Sequence, residues 1–509
     1  MKRYLLLICC LGLISGSCKY LPATKAVVNY DNAFLNHALN NRSDYYYIDF
    51  KAANKISSTL PIGIFDSGTG GLTVLNALAN FDRYNNSSHM PLECGDGISD
   101  FRAEEFIYFG DQANMPYGHY AEVNKTGFLK ELILRDALFL AGNKYYKSPD
   151  DKRYQTGKKS VKLIVIACNT ATAYGRADIE SMLSAAGSRI RVIGVIDAGV
   201  RGALDTFKEN EDGTVAVMAT AGTVASDGYL NTFVSLKSST GHKGKLDFFQ
   251  YAGQGIAEAI DEEPNYLNRN AMKPRIDYKG PSFFSENLKI RKEQMGIYNF
   301  DTTGNSLLVD FRDGQCHELQ LNSPENYIKY HLVSMVDDLR SRENIKPLKT
   351  LILGCTHYPY LSGFIKTTLR ELYNVKVDNK YIYRSVLPDS VILIDPAINT
   401  AKEVYDYLLE NDLFNKKGDI NRSEFFISVP DKLNSAIITD SLNWFTYDYK
   451  YNRNENHFYD TRQVPVSRLN TNDEIIARIK EQLPSVYELI IKFQRENKRT
   501  LFLKPAERL

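Results

Sequence analysis

The sequence predicts an α/β fold in which mainly parallel β-sheets are flanked by helices, and two observations carry this prediction. From residue 61 onwards, short and continuously apolar runs alternate with helical stretches, and each run ends on a polar or glycine-rich turn. Strands that are apolar on both faces belong to parallel sheets that helices cover on both sides. In such sheets a ligand binds beyond the carboxyl ends of the strands, which is where these turns lie.

The strand candidates follow one another through most of the chain. PIGIF (61–65) leads into DSGTGG and the helical LTVLNALANF, and EEFIYFG (104–110) precedes DQANMPYG and the amphipathic stretch 123–145. VKLIVIA (161–167) runs into CNTATA and another helix. The remaining candidates are RVIGVI (191–196), TVAVMAT (214–220), TLILG (350–354) and VILIDPA (391–397).

Four segments interrupt the alternation. Residues 19–60 are rich in Asn, Tyr and Ala and are interpreted as a tether or helical lead-in, and residues 82–103 resemble a surface insertion. Residues 264–325 are too numerous for a structureless loop, so we predict an inserted subdomain with a hairpin near 306–321. Residues 456–509 are predicted to form a C-terminal helical extension, with a charged helix over about 473–497.

The N-terminus has the pattern of an export signal. Two positive charges at Lys2 and Arg3 precede an almost entirely apolar stretch from Tyr4 to Ile14, and small residues then lead to Cys18. Cys18 after Gly-Ser is similar to a bacterial lipoprotein cleavage site, so residues 1–18 are predicted to be a signal peptide with a lipidated cysteine. An exported, membrane-anchored lipoprotein is the favoured location, and secretion without lipid or a cytoplasmic protein are the alternatives.

Composition excludes several classes of function. The 62 Lys and Arg residues balance 61 Asp and Glu residues, so the chain has no electrostatic footprint for nucleic acid. Membrane contact is expected only through the N-terminal lipid. Outside the signal, four cysteines in so long a chain do not make a disulfide framework. The histidines and cysteines show no metal-binding spacing, so no metal site is predicted.

Two cysteines occur in matched contexts, each at the end of an apolar run. LIVIACNTATA (163–173) contains Cys168, and LILGCTHYPY (351–360) contains Cys355. Amide groups and the positive end of a following helix would lower the pKa of such a thiol and favour the thiolate. Buried cysteines are also common in cores. Two matched thiols suit inversion at a carbon, because removing a proton from one face and returning it to the other requires two bases.

The chain resembles glutamate racemases of the cofactor-independent aspartate/glutamate racemase superfamily. The blocks that carry the resemblance spread in the family order across residues 61–400. They are IGIFDSGTGGLTVL (62–75), GDQANMPYG (110–118), VIACNTATA (165–173), VAVMATAGTVAS (215–226) and LILGCTHYPYL (351–361). The resemblance implies that residues 61–455 form two similar α/β domains, with the active site in the cleft between them.

The resemblance also implies the roles of individual residues. Cys168 and Cys355 would exchange the proton, with Asp66 beside Cys168 and His357 beside Cys355. Glu258 would act near the first thiol. Substrate-binding positions would be Asp66, Ser67, Tyr117, Gly118, Asn169, Thr170, Thr356 and His357, with Thr220 and Thr223 in the same shell. Other interpretations of these residues are an N-cap for Asp66, a simple turn at 117–118 and an exposed helical carboxylate for Glu258.

The predicted function is therefore the interconversion of L- and D-glutamate without a cofactor, and a homodimer is left open. D-Glutamate made by this family normally serves peptidoglycan and hence cell-wall biogenesis. Racemisation of aspartate or another acidic amino acid is one alternative. A non-catalytic, exported lipoprotein that binds an amino acid is the other, although a pure binder has no need of paired bases.

Overall fold

A computed structural model describes residues 32–53, 56–260, 262–456 and 459–509. The predicted signal peptide and Cys18 lie outside the described residues, as does the first part of the predicted lead-in. None of the helices within these ranges is both long and apolar enough to span a bilayer.

The strands of the described residues alternate with helices over most of the chain. The strands are β1 (Ile62–Asp66), β2 (Phe106–Gly110), β3 (Lys144–Tyr145), β4 (Gln155–Thr156), β5 (Leu163–Ile166), β6 (Arg191–Gly194), β7 (Gly213–Ala219), β8 (Leu246–Ala252), β9 (Leu307–Arg312), β10 (Gln315–Leu321), β11 (Leu348–Gly354), β12 (Lys376–Val377), β13 (Lys380–Tyr381), β14 (Ile392–Ile394), β15 (Glu424–Pro430) and β16 (Thr461–Pro465).

The helices range from single turns to five turns. They are α1 (Ala33–Asn40), α2 (Phe50–Ala53), α3 (Leu72–Ala79), α4 (Gly118–Glu122), α5 (Thr126–Ala141), α6 (Asn169–Ala185), α7 (Val195–Leu204), α8 (Ala221–Ala225), α9 (Gly228–Thr240), α10 (Ile256–Ile260), α11 (Met295–Tyr298), α12 (Pro324–Ser341), α13 (Ser362–Tyr373), α14 (Pro396–Glu410), α15 (Tyr447–Asn452), α16 (Asp473–Gln482) and α17 (Pro484–Glu496).

Two mainly parallel sheets organise these elements, as the sequence predicts. The first sheet has the strand order β16-β15-β2-β1-β5-β6, and all neighbours are parallel except the pair β15–β16. The second sheet has the order β14-β11-β7-β8 and is parallel throughout. The carboxyl ends of β1 and β5 carry Asp66 and Cys168, and the carboxyl end of β11 carries Cys355.

Strand β7 shows why the strands are apolar on both faces. Successive side chains of a strand point to opposite faces of a sheet. Val215 and Val217 pack in a core with α7 and α9, whereas Ala216 and Met218 pack in a second core with α12. Helix α14 packs against both α3 and α7, so it joins the two halves of the protein.

The described part of the predicted lead-in is packed and does not form a loose tether. Asn32 caps α1 by accepting a hydrogen bond from the backbone N–H of Leu35. Phe34, Leu35 and Ala38 of this helix are buried in the core of the first sheet. The amphipathic helix α1 thereby covers apolar surface that would otherwise face water.

The insertion at 264–325 contains the predicted hairpin, in which β9 pairs antiparallel with β10. The C-terminal region differs more from the prediction. Strand β16 lies within residues 456–509 and pairs with β15, so this region completes a sheet and is not simply helical. The single helix predicted near 473–497 is two helices, because Pro484 lacks a backbone N–H and forces Leu483 out of the helical conformation.

Candidate active site

The first thiol lies at the junction of β5 and α6. Cys168 is the N-cap of α6, and its Sγ accepts a hydrogen bond from the backbone N–H of Ala171 at 3.4 Å. The same sulfur lies 3.9 Å from the hydroxyl oxygen of Ser67. Only 7% of Cys168 is exposed, so its thiol is held in a fixed position at the strand end.

The expectation that the helix start lowers the pKa of this thiol is wrong. Burial raises the pKa of Cys168 to about 12, and the negative charge of Asp66 adds to the rise. The hydrogen bonds from Ala171 and Ser67 act in the opposite direction but are smaller effects. Removal of the thiolate from water therefore outweighs the nearby amide groups.

Asp66 ends β1 and organises the glycine-rich turn that follows. One carboxylate oxygen accepts hydrogen bonds from the backbone N–H groups of Gly68 at 3.1 Å and Gly71 at 3.0 Å. A Cβ at Gly71 would lie 2.5 Å from the Cβ of Asp66, so the turn has room only for glycine there. The N-cap of α3 is Gly71 and not Asp66. Burial raises the pKa of Asp66, and the charge of His357 partly offsets this rise.

The second thiol ends β11 and has an imidazole beside it. The Sγ of Cys355 lies 3.5 Å from Nδ1 of His357, and 7% of Cys355 is exposed. A short 3-10 helix over Tyr358–Leu361 follows, and α13 begins only at Ser362. The helix start that the sequence predicts directly after this cysteine is therefore displaced by several residues.

The two halves of the site meet around Gly70. A Cβ at this glycine would lie 3.0 Å from the hydroxyl oxygen of Thr356, 3.6 Å from a carboxylate oxygen of Asp66 and 3.7 Å from Cε1 of His357. Residues from the carboxyl ends of β1 and β11 thus converge on one point between the two sheets. The predicted pairs Asp66–Cys168 and Cys355–His357 lie on either side of it.

The predicted substrate-binding positions fall in different surroundings. Asn169 accepts a hydrogen bond from the hydroxyl of Tyr229 at 2.8 Å. Thr170 is buried, and its hydroxyl faces Gly118 across the cleft. Gly118 in turn packs against Gly222, where an added Cβ would lie 3.1 Å from the Cα of Gly118. The cleft is closed at this point by two glycines.

The hydroxyl of Tyr117 lies between two buried carboxyl groups. The hydroxyl oxygen lies 2.6 Å from a carboxylate oxygen of Asp111 and 2.6 Å from one of Asp136. Burial and the charge of Asp111 raise the pKa of Asp136 well above its usual range. The single hydroxyl proton of Tyr117 can serve only one of these two carboxyl groups at a time.

Glu258 belongs to α10, whose Ile256 and Ala259 pack in the core that contains Cys355. Burial raises the pKa of Tyr358, and the charges of Cys355 and Glu258 add to the rise. The hydroxyl of Tyr358 donates to the carbonyl oxygen of Gly253 at 3.1 Å. A role of Glu258 near the first thiol stays a prediction.

Thr220 is the N-cap of α8, and its hydroxyl donates to the hydroxyl of Thr223 at 3.0 Å. Two residues of the site were not predicted: Tyr229, which bonds Asn169, and Tyr108, whose hydroxyl donates to the carbonyl oxygen of Gly68 at 2.6 Å. Tyr108 lies within β2 and Tyr229 within α9, so neither belongs to the polar turns at strand ends that predict the site.

A cavity of about 620 Å³ opens beside the second thiol. Cys355, Thr356 and Asn169 line its inner end. The insertion 82–103 contributes Asp82, Arg83 and Cys94 to its wall, together with the junction of α16 and α17. Within the described ranges, no cluster of three His, Cys, Asp or Glu side chains could hold a metal ion.

Comparison with known proteins identifies relatives by sequence, while no family model matches the chain. Glutamate racemase 1 of Caldanaerobacter subterraneus subsp. tengcongensis is 28% identical over 361 residues, which cover 70% of this chain and 84% of that protein. Glutamate racemase of Oceanobacillus iheyensis is 25% identical over 365 residues, covering 72% and 85%. Among solved structures, glutamate racemase isoform RacE1 of Bacillus anthracis matches with a TM-score of 0.41 and 21% identity, covering 73% and 89%. By sequence, the chain is therefore similar to glutamate racemases.

Proposed function

We propose that this protein interconverts L- and D-glutamate by two-base proton transfer between Cys168 and Cys355. From D-glutamate, the thiolate of Cys168 takes the α-proton and forms an S–H bond. The electron pair stays on the α-carbon, delocalised into the α-carboxylate. The thiol of Cys355 donates its proton to the opposite face and becomes the thiolate. The reverse direction exchanges the two roles.

One observation carries this proposal: two buried thiols end strands of two different sheets, and each has an acid–base group beside it. The sulfur of Cys355 is 3.5 Å from the imidazole of His357. The carboxylate of Asp66 is close enough to Cys168 to raise its pKa. A pure binding site has no use for two such pairs, so the arrangement supports catalysis over capture.

The raised pKa of Cys168 fits a resting enzyme in which this residue is the thiol. Protonation favours the direction that starts from L-glutamate, because Cys168 then only has to donate. In the other direction Cys168 must first lose its proton. The ammonium group of a bound amino acid would stabilise the thiolate by charge, and Asp66, whose own pKa is raised by burial, would accept the proton more readily than an ordinary carboxylate.

Glutamate is favoured as substrate because the sequence relatives are named glutamate racemases. An exported location of the kind that residues 1–18 predict would place this activity on free amino acids outside the cytoplasm. A cytoplasmic enzyme would instead supply D-glutamate for cell-wall precursors.

Circular dichroism tests the proposal on purified residues 19–509 under reducing conditions. Solutions of L-glutamate and of D-glutamate should both lose ellipticity and converge on zero. Racemisation of aspartate without racemisation of glutamate would show that aspartate, and not glutamate, is the substrate. Calorimetric binding of glutamate without any change in ellipticity would favour the binding lipoprotein.

A further inference from the structure

Residues 111–118, here called the 111–118 loop, form part of the wall of the candidate active site. The backbone N–H of Asp111 donates to the carbonyl oxygen of Asp66 at 2.9 Å. Met115 covers Gly68, where an added Cβ would lie 2.4 Å from the Met115 sulfur. Gly118, at the end of the loop, closes the cleft against Gly222. A shift of this loop would therefore change the space around Asp66 and the backbone groups offered to a substrate.

The loop is held from outside by the connection between β15 and β16. Residues 446–456, here called the bracing segment, contain α15 and lie along the loop. The ammonium of Lys450 donates to the carbonyl oxygen of Met115 at 2.6 Å. The guanidinium of Arg453 donates to the side-chain oxygen of Asn114 at 2.6 Å. Two consecutive loop residues are therefore held by cations of the bracing segment.

The bracing segment also holds the elements that follow the loop. The His119 imidazole lies 2.6 Å from the Tyr447 hydroxyl, and the Lys125 ammonium donates to the Asn454 side chain at 2.6 Å. A Cβ at Gly127 in the first turn of α5 would collide with the Glu455 carboxylate. The contacts thus continue from the loop through α4 into α5.

A buried charge network fixes the position of the bracing segment. Arg453 is 3% exposed and forms an ion pair with Asp460, which also pairs with Arg135 at 3.1 Å. Buried charges are stable only when they are paired, so displacement of any member costs several hydrogen bonds at once. Lys450 is only half-buried and lies at the end of this network nearest the cleft. Burial lowers the pKa of Lys450 to about 8, and the charge of Asp111 partly opposes the shift.

We propose that the bracing segment positions the 111–118 loop for substrate binding, with Lys450 as its principal positioning residue. The inference rests on the proposed racemase function, because it assigns the loop backbone up to Gly118 to recognition of the amino acid. Lys450 acts through Met115 and makes no contact with the reacting atoms. Its loss should therefore weaken substrate binding more than it slows proton transfer.

The test compares Lys450→Met with Lys432→Met, which removes an exposed lysine from the same β15–β16 connection. Methionine keeps the length of the side chain and removes the donor. Lys450→Met should raise KM for glutamate about 10-fold, the effect of losing one charge-assisted hydrogen bond, with kcat within about twofold. Lys450→Arg should have a KM close to that of the wild type, and Lys432→Met should leave both KM and kcat unchanged.

Hydrogen–deuterium exchange gives a readout that does not depend on activity. Amides of residues 111–122 should exchange faster in Lys450→Met than in the wild type or Lys432→Met, while the melting temperature stays close to that of the wild type. Unchanged exchange in this segment, or a loss confined to kcat, would overturn the positioning role. Suppose that the wild-type protein racemises no acidic amino acid, while amides of residues 111–122 still exchange faster in Lys450→Met. That result would overturn the proposed function but support the positioning of the 111–118 loop by the bracing segment.

Discussion

The contact between Gly118 and Gly222 allows a test of whether the position of Gly118 determines substrate binding. Gly222 is the second residue of α8, and Gly118 is the first residue of α4. A Cβ at Gly222 would lie 3.1 Å from the Cα and 3.3 Å from the carbonyl oxygen of Gly118. Ordinary van der Waals contact begins near 3.4 Å, so Gly222→Ala forces two backbone segments apart by a few tenths of an ångström.

The size of the effect follows from two opposing contributions. Overpacking of this kind costs about 1–3 kcal/mol, and the better helix propensity of alanine returns about 1 kcal/mol. The clash arises from the contact between α4 and α8, whereas the propensity gain does not depend on that contact. Gly118 is a predicted substrate-binding residue, so its displacement should weaken substrate binding, and KM for glutamate should rise about 10-fold.

Gly363→Ala is the matched control. Gly363 is also the second residue of a helix, α13, and no atom lies within 4 Å of an added Cβ. Both variants gain helix propensity, and only Gly222→Ala meets Gly118. Kinetics by circular dichroism and thermal unfolding should be measured for both. Equal KM values for the two variants would refute the idea that the glycine contact belongs to the catalytically competent form.

Three further predictions concern the thiols and the N-terminus. Cys168→Ser and Cys355→Ser should each lower racemisation by more than the roughly 10²–10⁴-fold typical of losing one acid or base. In deuterated water, Cys168→Ser should still incorporate deuterium into L-glutamate, and Cys355→Ser into D-glutamate. Racemisation near the wild-type rate by both variants would show that the cysteines are only core residues. The thiolate is the reactive form of cysteine, and burial raises the pKa of Cys168 to about 12, so the rate of Cys168 alkylation should rise about tenfold per pH unit from pH 7 to 10. Mass spectrometry of the Cys168 peptide measures this rate, and a plateau near pH 8 would contradict the raised pKa. Cys18→Ala should release the protein from the membrane fraction with unchanged activity, and a mature cytosolic chain that retains residues 1–17 would rule out export.

The sequence by itself determined the parallel sheets and the positions of the two thiols. Apolar runs such as LIVIA and LILG are short and leave no polar face, which is typical of strands covered on both sides, and the polar residues behind each run mark the strand end where its cysteine lies. The polar residues that follow are local to the strand end. Local pattern was therefore enough to place Cys168, Asp66 and Cys355 at carboxyl ends of strands.

Only the tertiary structure decided which neighbours each group has, since those neighbours come from distant parts of the chain. Tyr229 reaches Asn169 from 60 residues away, and Lys450 reaches Met115 from 335 residues away. The strand β15 pairs with β2 in the first sheet although more than 300 residues separate the two strands, so no local sequence pattern predicts this pairing. The pKa of Cys168 likewise depends on burial by the whole fold, which outweighs the helix start that the sequence displays.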